Sequence, residues 1–207
     1  MSGSKVFCIG FPKTGTTTLE YVLKSLGYRM GSQAHGESLV ESWDNRNFDP
    51  IKKLCDTADA FQDVPFGLPY TFQYLDSSYP DSKFILSIRN NPDQWYRSVV
   101  NFHSKLWSAD KTRPPSLSEL KKVNYNGLGW AYNSMKAIYN TTDNDIYNRE
   151  RLIYVYLRHI DNVKEYFTRI PDRLIIINVS IDEDYQRMIC FLNRKSLLTR
   201  FPHKNKT

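Results

Sequence analysis

The chain has 207 residues, of which 41% are hydrophobic, and a formal net charge of +6. That length supports one substantial core and gives no reason to invoke two, so a single domain spanning 1–207 is expected. Three scattered cysteines, Cys8, Cys55 and Cys190, argue against a disulfide framework and a zinc site, and no apolar run has the length of a signal peptide or membrane span, so a cytoplasmic protein is expected.

Val6-Phe-Cys-Ile9 has the length and composition of a buried strand. It runs into the turn Gly10-Phe-Pro-Lys-Thr-Gly15, after which Leu19, Val22, Leu23 and Leu26 recur at the spacing of one helix face, with Gly27 as a stop. The turn therefore lies at a helix N-terminus. Unpaired N–H groups and the positive end of the helix dipole make such a place an anion site, and Thr14, Thr16, Thr17 and Thr18 add hydroxyl donors. Against the triphosphatase motif G-x-x-x-x-G-K-[ST], Gly10 and Gly15 keep the frame. Thr16, however, stands in the lysine position, and Lys13 is the only lysine of the loop.

Further along, the sequence predicts a polar stretch over 31–47 that holds His35, a helix over 50–57, a short strand over 60–62 followed by Asp63, and a helix over 68–77. The next strand, 84–88, ends in Arg89, where a triphosphatase would place the magnesium-holding acid. A cation there suits a second anionic group better than a metal. Asn91-Pro92 starts a helix carrying Trp95, Val99, Phe102 and Leu106. A loop over 108–115, helices within 117–139 and 145–168, a strand over 174–179 and a helix over 182–192 complete the pass. Strands alternating with helices predict a three-layer α/β/α fold with a central, mainly parallel sheet of the P-loop NTPase-like kind, binding ligands at the carboxyl ends of its strands.

The positive charge is spread along the chain, with a modest gathering from Arg194 to Lys206, and no nucleic-acid-binding motif accompanies it. A small polyanion is the expected partner, and nucleic acid is not. The triplets Asn140-Thr-Thr142 and Asn178-Val-Ser180 matter only in a secretory compartment and carry no weight here.

These residues resemble a known family, the sulfotransferases that use 3′-phosphoadenosine 5′-phosphosulfate (PAPS) on a P-loop-like α/β fold. Phe11-Pro-Lys-Thr-Gly-Thr-Thr17 is similar to that family's 5′-phosphosulfate loop, usually P-K-[ST]-G-T-[ST]. The segment from Ser82 to Ser98 is similar to its 3′-phosphate segment, in which a strand-end arginine and a serine of the next helix hold the phosphate. Asp63-Val-Pro65 resembles the Asp-x-Pro motif of the compact, soluble branch, as do Arg158-His159, Val163, Tyr166-Phe167, the run from Arg173 to Asn178, Cys190-Phe-Leu192 and Phe201-Pro-His203. The likeness covers most of the chain, and its specific part is the first two segments. Two departures stand out. Arg89 and Ser98 are nine positions apart rather than the family's eight, through the doubled Asn90-Asn91, so either the loop bulges or the serine contact is altered. The long basic loop that completes the 3′-phosphate site in larger cytosolic members has no clear counterpart near this C-terminus.

The resemblance implies that Lys13, Thr14, Gly15, Thr16, Thr17, Thr18, Arg89 and Ser98 bind PAPS, with adenosine 3′,5′-bisphosphate (PAP) as product. It makes Lys13 the catalytic lysine. Sulfuryl transfer moves a singly charged group, so no metal is obligatory; it needs a donor at the bridging oxygen, a phosphate cradle and a base for the acceptor's proton. Asp63 and His35 are the candidate bases, whereas His103 and His159 fall within predicted helices as packing or hydrogen-bonding residues. The expected acceptor is a hydroxyl or amine of a small molecule or glycan; nothing in the sequence sets an oligomeric state. Two other readings compete: a P-loop kinase or nucleotide triphosphatase, opposed by Thr16 and Arg89, and a non-catalytic nucleotide-binding module on the same fold.

Overall fold

The computed structural model describes residues 4–202, so His203 and the end of the basic gathering lie outside the described residues. The chain forms two compact units, one made of residues up to Asn90 together with those from His159 onward, the other of Asn91–Arg158.

The first unit holds the sheet. Strands β1 (Val6–Cys8), β2 (Ala60–Phe61), β3 (Lys83–Ser87) and β4 (Leu174–Ile177) lie in the order β2-β1-β3-β4. All pairings are parallel, with Phe7 opposite Phe61 and Phe84, and Ile85 opposite Ile175. Alternation along the strands separates two apolar faces. Val6, Cys8, Ile85, Ile175 and Ile177 pack with Leu19, Val22 and Leu23 of α1 (Thr16–Ser25) and with Tyr185, Met188 and Leu192 of α10 (Asp182–Leu192). On the other face Phe7 stacks against Phe61 and lies tilted to Phe84, each at 5.6 Å, and Phe84 lies 4.8 Å from Phe167 of α9 (Arg149–Phe167), itself 6.1 Å from Phe72 of α5 (Thr71–Ser78). The sheet is thus covered on both faces, as the alternation of strands and helices predicts. Parallel strands put all their carboxyl ends on one edge. The connections leaving β1 and β3 run in opposite directions, the topological switch at which parallel α/β sheets generally bind their ligands.

The stretch over 31–47 differs from the expectation of a polar loop: it folds into α2 (Gln33–Ser38) and α3 (Val40–Asp44), followed by α4 (Asp49–Cys55). Ser32 caps α2 by accepting from the His35 N–H at 3.2 Å. Leu39, Val40 and Trp43 are buried, and the Trp43 indole donates to the Pro69 carbonyl at 2.9 Å. These apolar residues are too few for a recognisable period, and their burial decides the local structure.

In the second unit Asn91 caps α6 (Pro92–Trp107) by accepting from the Gln94 N–H at 2.8 Å. Trp95 stacks on Tyr156, centroids 4.4 Å apart and planes 5° from parallel. The expected helical region 117–139 is two helices, α7 (Leu117–Lys122), which has a Ser116/Glu119 capping box, and α8 (Trp130–Tyr139). Gly127 and Gly129, both at positive φ, separate them. Among the described residues no helix is long and apolar enough to cross a membrane.

Candidate functional site

The loop between β1 and α1 is locked by its neighbours on the carboxyl edge. A Cβ on Gly10 would lie 2.2 Å from Ser87 Oγ and 2.5 Å from the Ser87 carbonyl oxygen, so only glycine lets β3 come this close. Thr14 donates its hydroxyl to the Phe11 carbonyl at 2.6 Å and shares a second hydrogen bond of 2.6 Å with Ser87 Oγ. Its hydroxyl shapes the loop. Gly15 takes φ 102 as the residue before α1, packs against Val179 just beyond β4, and leaves the helix start without a side-chain cap. No acid stands in the first turn of α1. The N-terminus therefore keeps its donors and its positive potential for an anion. Lys13, at φ 70, is held in the left-handed region that lysine seldom occupies, a local cost of about 1–3 kcal/mol met by the surrounding lock.

Arg89, two residues beyond β3, donates Nε to the Lys13 carbonyl at 2.7 Å. One guanidinium hydrogen bond thus fixes the strand-end arginine to the backbone of the loop lysine. The doubled asparagine has two separate tasks. Asn90 accepts from Asn178 Nδ2 at 2.5 Å beside β4, while Asn91 caps α6.

The Asp63 turn follows β2. Asp63 lies at φ 63, precedes the cis peptide Val64–Pro65, and accepts from the Thr16 hydroxyl at 2.7 Å and from the Val64 N–H at 2.9 Å. A Cβ on Gly67 would fall 2.2 Å from the Gly10 carbonyl oxygen, so the far end of the turn sits directly on the loop. Burial pushes the Asp63 carboxyl above the ordinary carboxylate range; Thr16 and Val64 counter this by hydrogen bonding, Glu37 adds to it by like charge, and Lys13 opposes it.

Lys13, Thr14, Gly15, Thr16, Asp63 and Arg89 are thus brought together on one edge of the first unit. Thr17 is exposed on the first turn of α1, and the Thr18 hydroxyl points to the Pro202 carbonyl at 3.5 Å. His35 is exposed on α2. Ser98 belongs to α6 of the second unit; it is 7% exposed, and its Oγ has no hydrogen-bond partner among the described residues. An unpartnered buried hydroxyl is costly and calls for a ligand or water. An uncapped helix N-terminus, a lysine, an arginine and hydroxyls form a donor set that fits a nucleotide bearing phosphate and sulfate. No group of three or more His, Cys, Asp or Glu among the described residues is arranged to hold a metal ion.

Two further residues act near the site. Glu37 of α2 is 7% exposed and acts on Asp63. His159, 1% exposed, donates Nε2–H to the Ile9 carbonyl at 2.7 Å, immediately before the loop, and packs edge-on to Phe11 at 4.9 Å. That bond fixes the neutral tautomer and leaves Nδ1 buried without a partner among the described residues. Burial holds its pKa down to about 4, the Ile9 bond working weakly against it. His159 packs and hydrogen-bonds from a helix as the sequence predicts, whereas no sequence signal marks Glu37.

Residues 5–207 match the family described as sulfotransferase domain. No curated protein matches the chain.

Proposed function

The chain belongs to the sulfotransferase family, and from that premise we propose that it moves a sulfuryl group from PAPS to a hydroxyl or amine of a small-molecule or glycan acceptor, without a metal and in the cytoplasm. The match spans both compact units, which supports treating 1–207 as one sulfotransferase domain. The observation that carries the proposal is the bond from Arg89 Nε to the Lys13 carbonyl, because it ties the strand-end arginine to the loop that takes the other phosphate.

Bound PAPS supplies a sulfuryl group on a phosphate leaving group. The α1 N-terminus, with Gly15 and the hydroxyls of Thr16 and Thr17, holds the 5′-phosphate, while Thr14 keeps the loop in shape. Thr18 contributes through its place in the first turn. Lys13 donates to the bridging oxygen as negative charge develops there. Arg89 takes the 3′-phosphate; Ser98 is the second residue that the family likeness assigns to it, and its buried hydroxyl, unpartnered among the described residues, supports a ligand-binding part. Asp63 accepts the acceptor's proton as the new bond to sulfur forms and the bond from sulfur to the phosphate oxygen breaks. Its raised affinity for protons suits a base of this kind. His35, exposed on the neighbouring helix, is the second candidate for that task.

Incubation with labelled PAPS and a mixed panel of phenols, alcohols, amines and sugars, with chelator present, tests the reaction. Transfer of label to at least one class, with release of PAP, is the expected result. Failure to transfer to any class, or transfer only with added divalent metal, would contradict it.

A further inference from the structure

Three features tie α2 to the turn that carries Asp63. A Cβ on Gly36 would lie 2.6 Å from the Val64 carbonyl oxygen and 3.3 Å from Pro65 Cδ, so glycine alone lets the helix press against the Asp63-Val-Pro turn. Glu37 Oε1 accepts from Gln33 Nε2 at 2.9 Å, and Gln33 Oε1 accepts from Gln62 Nε2 at 3.0 Å; Gln62 is the residue before Asp63. An ionised carboxylate only accepts. Glu37 therefore sets the orientation of the Gln33 amide, and through it that of Gln62, whose Oε1 ends the chain buried and unpartnered among the described residues. Third, the Glu37 charge acts on the Asp63 carboxylate, as does that of Lys13 from the loop. A carboxylate buried to 7% exposure is costly to maintain, and nothing in the binding of a phosphosulfate uses it.

We propose that Glu37 is a positioning residue of this site, seating the Asp63 turn through Gln33 and Gln62 and setting a second negative charge near the Asp63 carboxylate. This rests on Asp63 as the base, proposed above. Among the described residues two charged groups act on Asp63: Glu37 from α2 favours its protonated form, and Lys13 from the loop favours its ionised form. Neutralising Glu37 leaves burial and Lys13 in place and removes one influence that raises proton affinity. Asp63 then loses its proton at lower pH.

Two measurements on the full chain test this in wild type, Glu37→Gln and Glu37→Asp. One is the pH dependence of kcat/KM for labelled sulfuryl transfer. The other is the carboxyl ¹³C NMR titration of Asp63, its resonance identified by its loss in Asp63→Asn. Glu37→Gln is expected to move the acidic limb and the NMR midpoint together to lower pH. Glu37→Asp, with its charge withdrawn by one methylene, should fall between that variant and wild type. If Glu37→Gln does not fold, the shift in Glu37→Asp decides the matter. A midpoint unchanged in whichever variants fold would overturn the proposal, and so would activity lost equally at every pH with no movement of the midpoint. The NMR titration needs no turnover, so an inactive wild type would contradict the proposed reaction while the midpoint still judges Glu37.

Discussion

Lys13 and Asp63 are both held at positive φ, where neither residue sits without help, and both lie on the edge where the four parallel strands end. Such strain concentrates where a side chain must be aimed. Lys13→Ala is expected to lower kcat by about 10²-fold or more, the scale of losing one preorganised electrostatic donor, and near-normal turnover would remove the lysine from the chemistry. Asp63→Asn should abolish the rising acidic limb of the pH–rate profile. Because burial raises the Asp63 pKa, that limb should lie above the ordinary carboxylate range, activity growing as the pH rises through it. Arg89→Ala should weaken PAP binding while leaving the affinity for its 3′-dephosphorylated form little changed; an undiminished preference for PAP would contradict the assignment. Lys13 and Arg89 were legible in the sequence because each stands at a fixed distance from a glycine frame or a strand end. Glu37 was not, because its importance comes from Gly36 pressing α2 onto Val64 and from a hydrogen-bond chain to Gln62, neither of which leaves a spacing to find.

At the scale of elements, the strands and the long helices followed from apolar runs and caps: α10 spans Asp182–Leu192 as expected, and Asn91-Pro92 marks the start of α6. The short helices α2 and α3 escaped because helices of five or six residues depend on tertiary packing rather than on a readable period. The extra asparagine between Arg89 and Ser98 looked like a bulge or an altered contact; Asn90 serves β4 through Asn178, and Asn91 serves α6. The bond from α9 to Ile9, just beyond β1, predicts a pH-dependent stability. His159 is held neutral in the folded state, with a pKa pushed down to about 4 from 6.5 by burial, so the unfolded chain binds the proton more readily. Its contribution is complete above pH 6.5 and is lost as the pH falls toward 4, up to about 3 kcal/mol. Urea unfolding at several pH values should show this slope in wild type and a flatter one in His159→Phe; equal slopes would contradict it. Gly10→Ala should lower the melting temperature and the affinity for PAP together, since its Cβ would strike backbone atoms of Ser87.

For the molecule as a whole, a formal net charge of +6 without a nucleic-acid motif agrees with a small polyanionic ligand. The central claim is that the loop and Arg89 were built for two separated anionic groups without a metal bridge. Calorimetric titration with PAP in the presence of chelator, set beside a titration with magnesium-ATP, tests it most directly. We expect saturable PAP binding that needs no metal and is much tighter than that of magnesium-ATP; tight, magnesium-dependent ATP binding with none for PAP would contradict the claim.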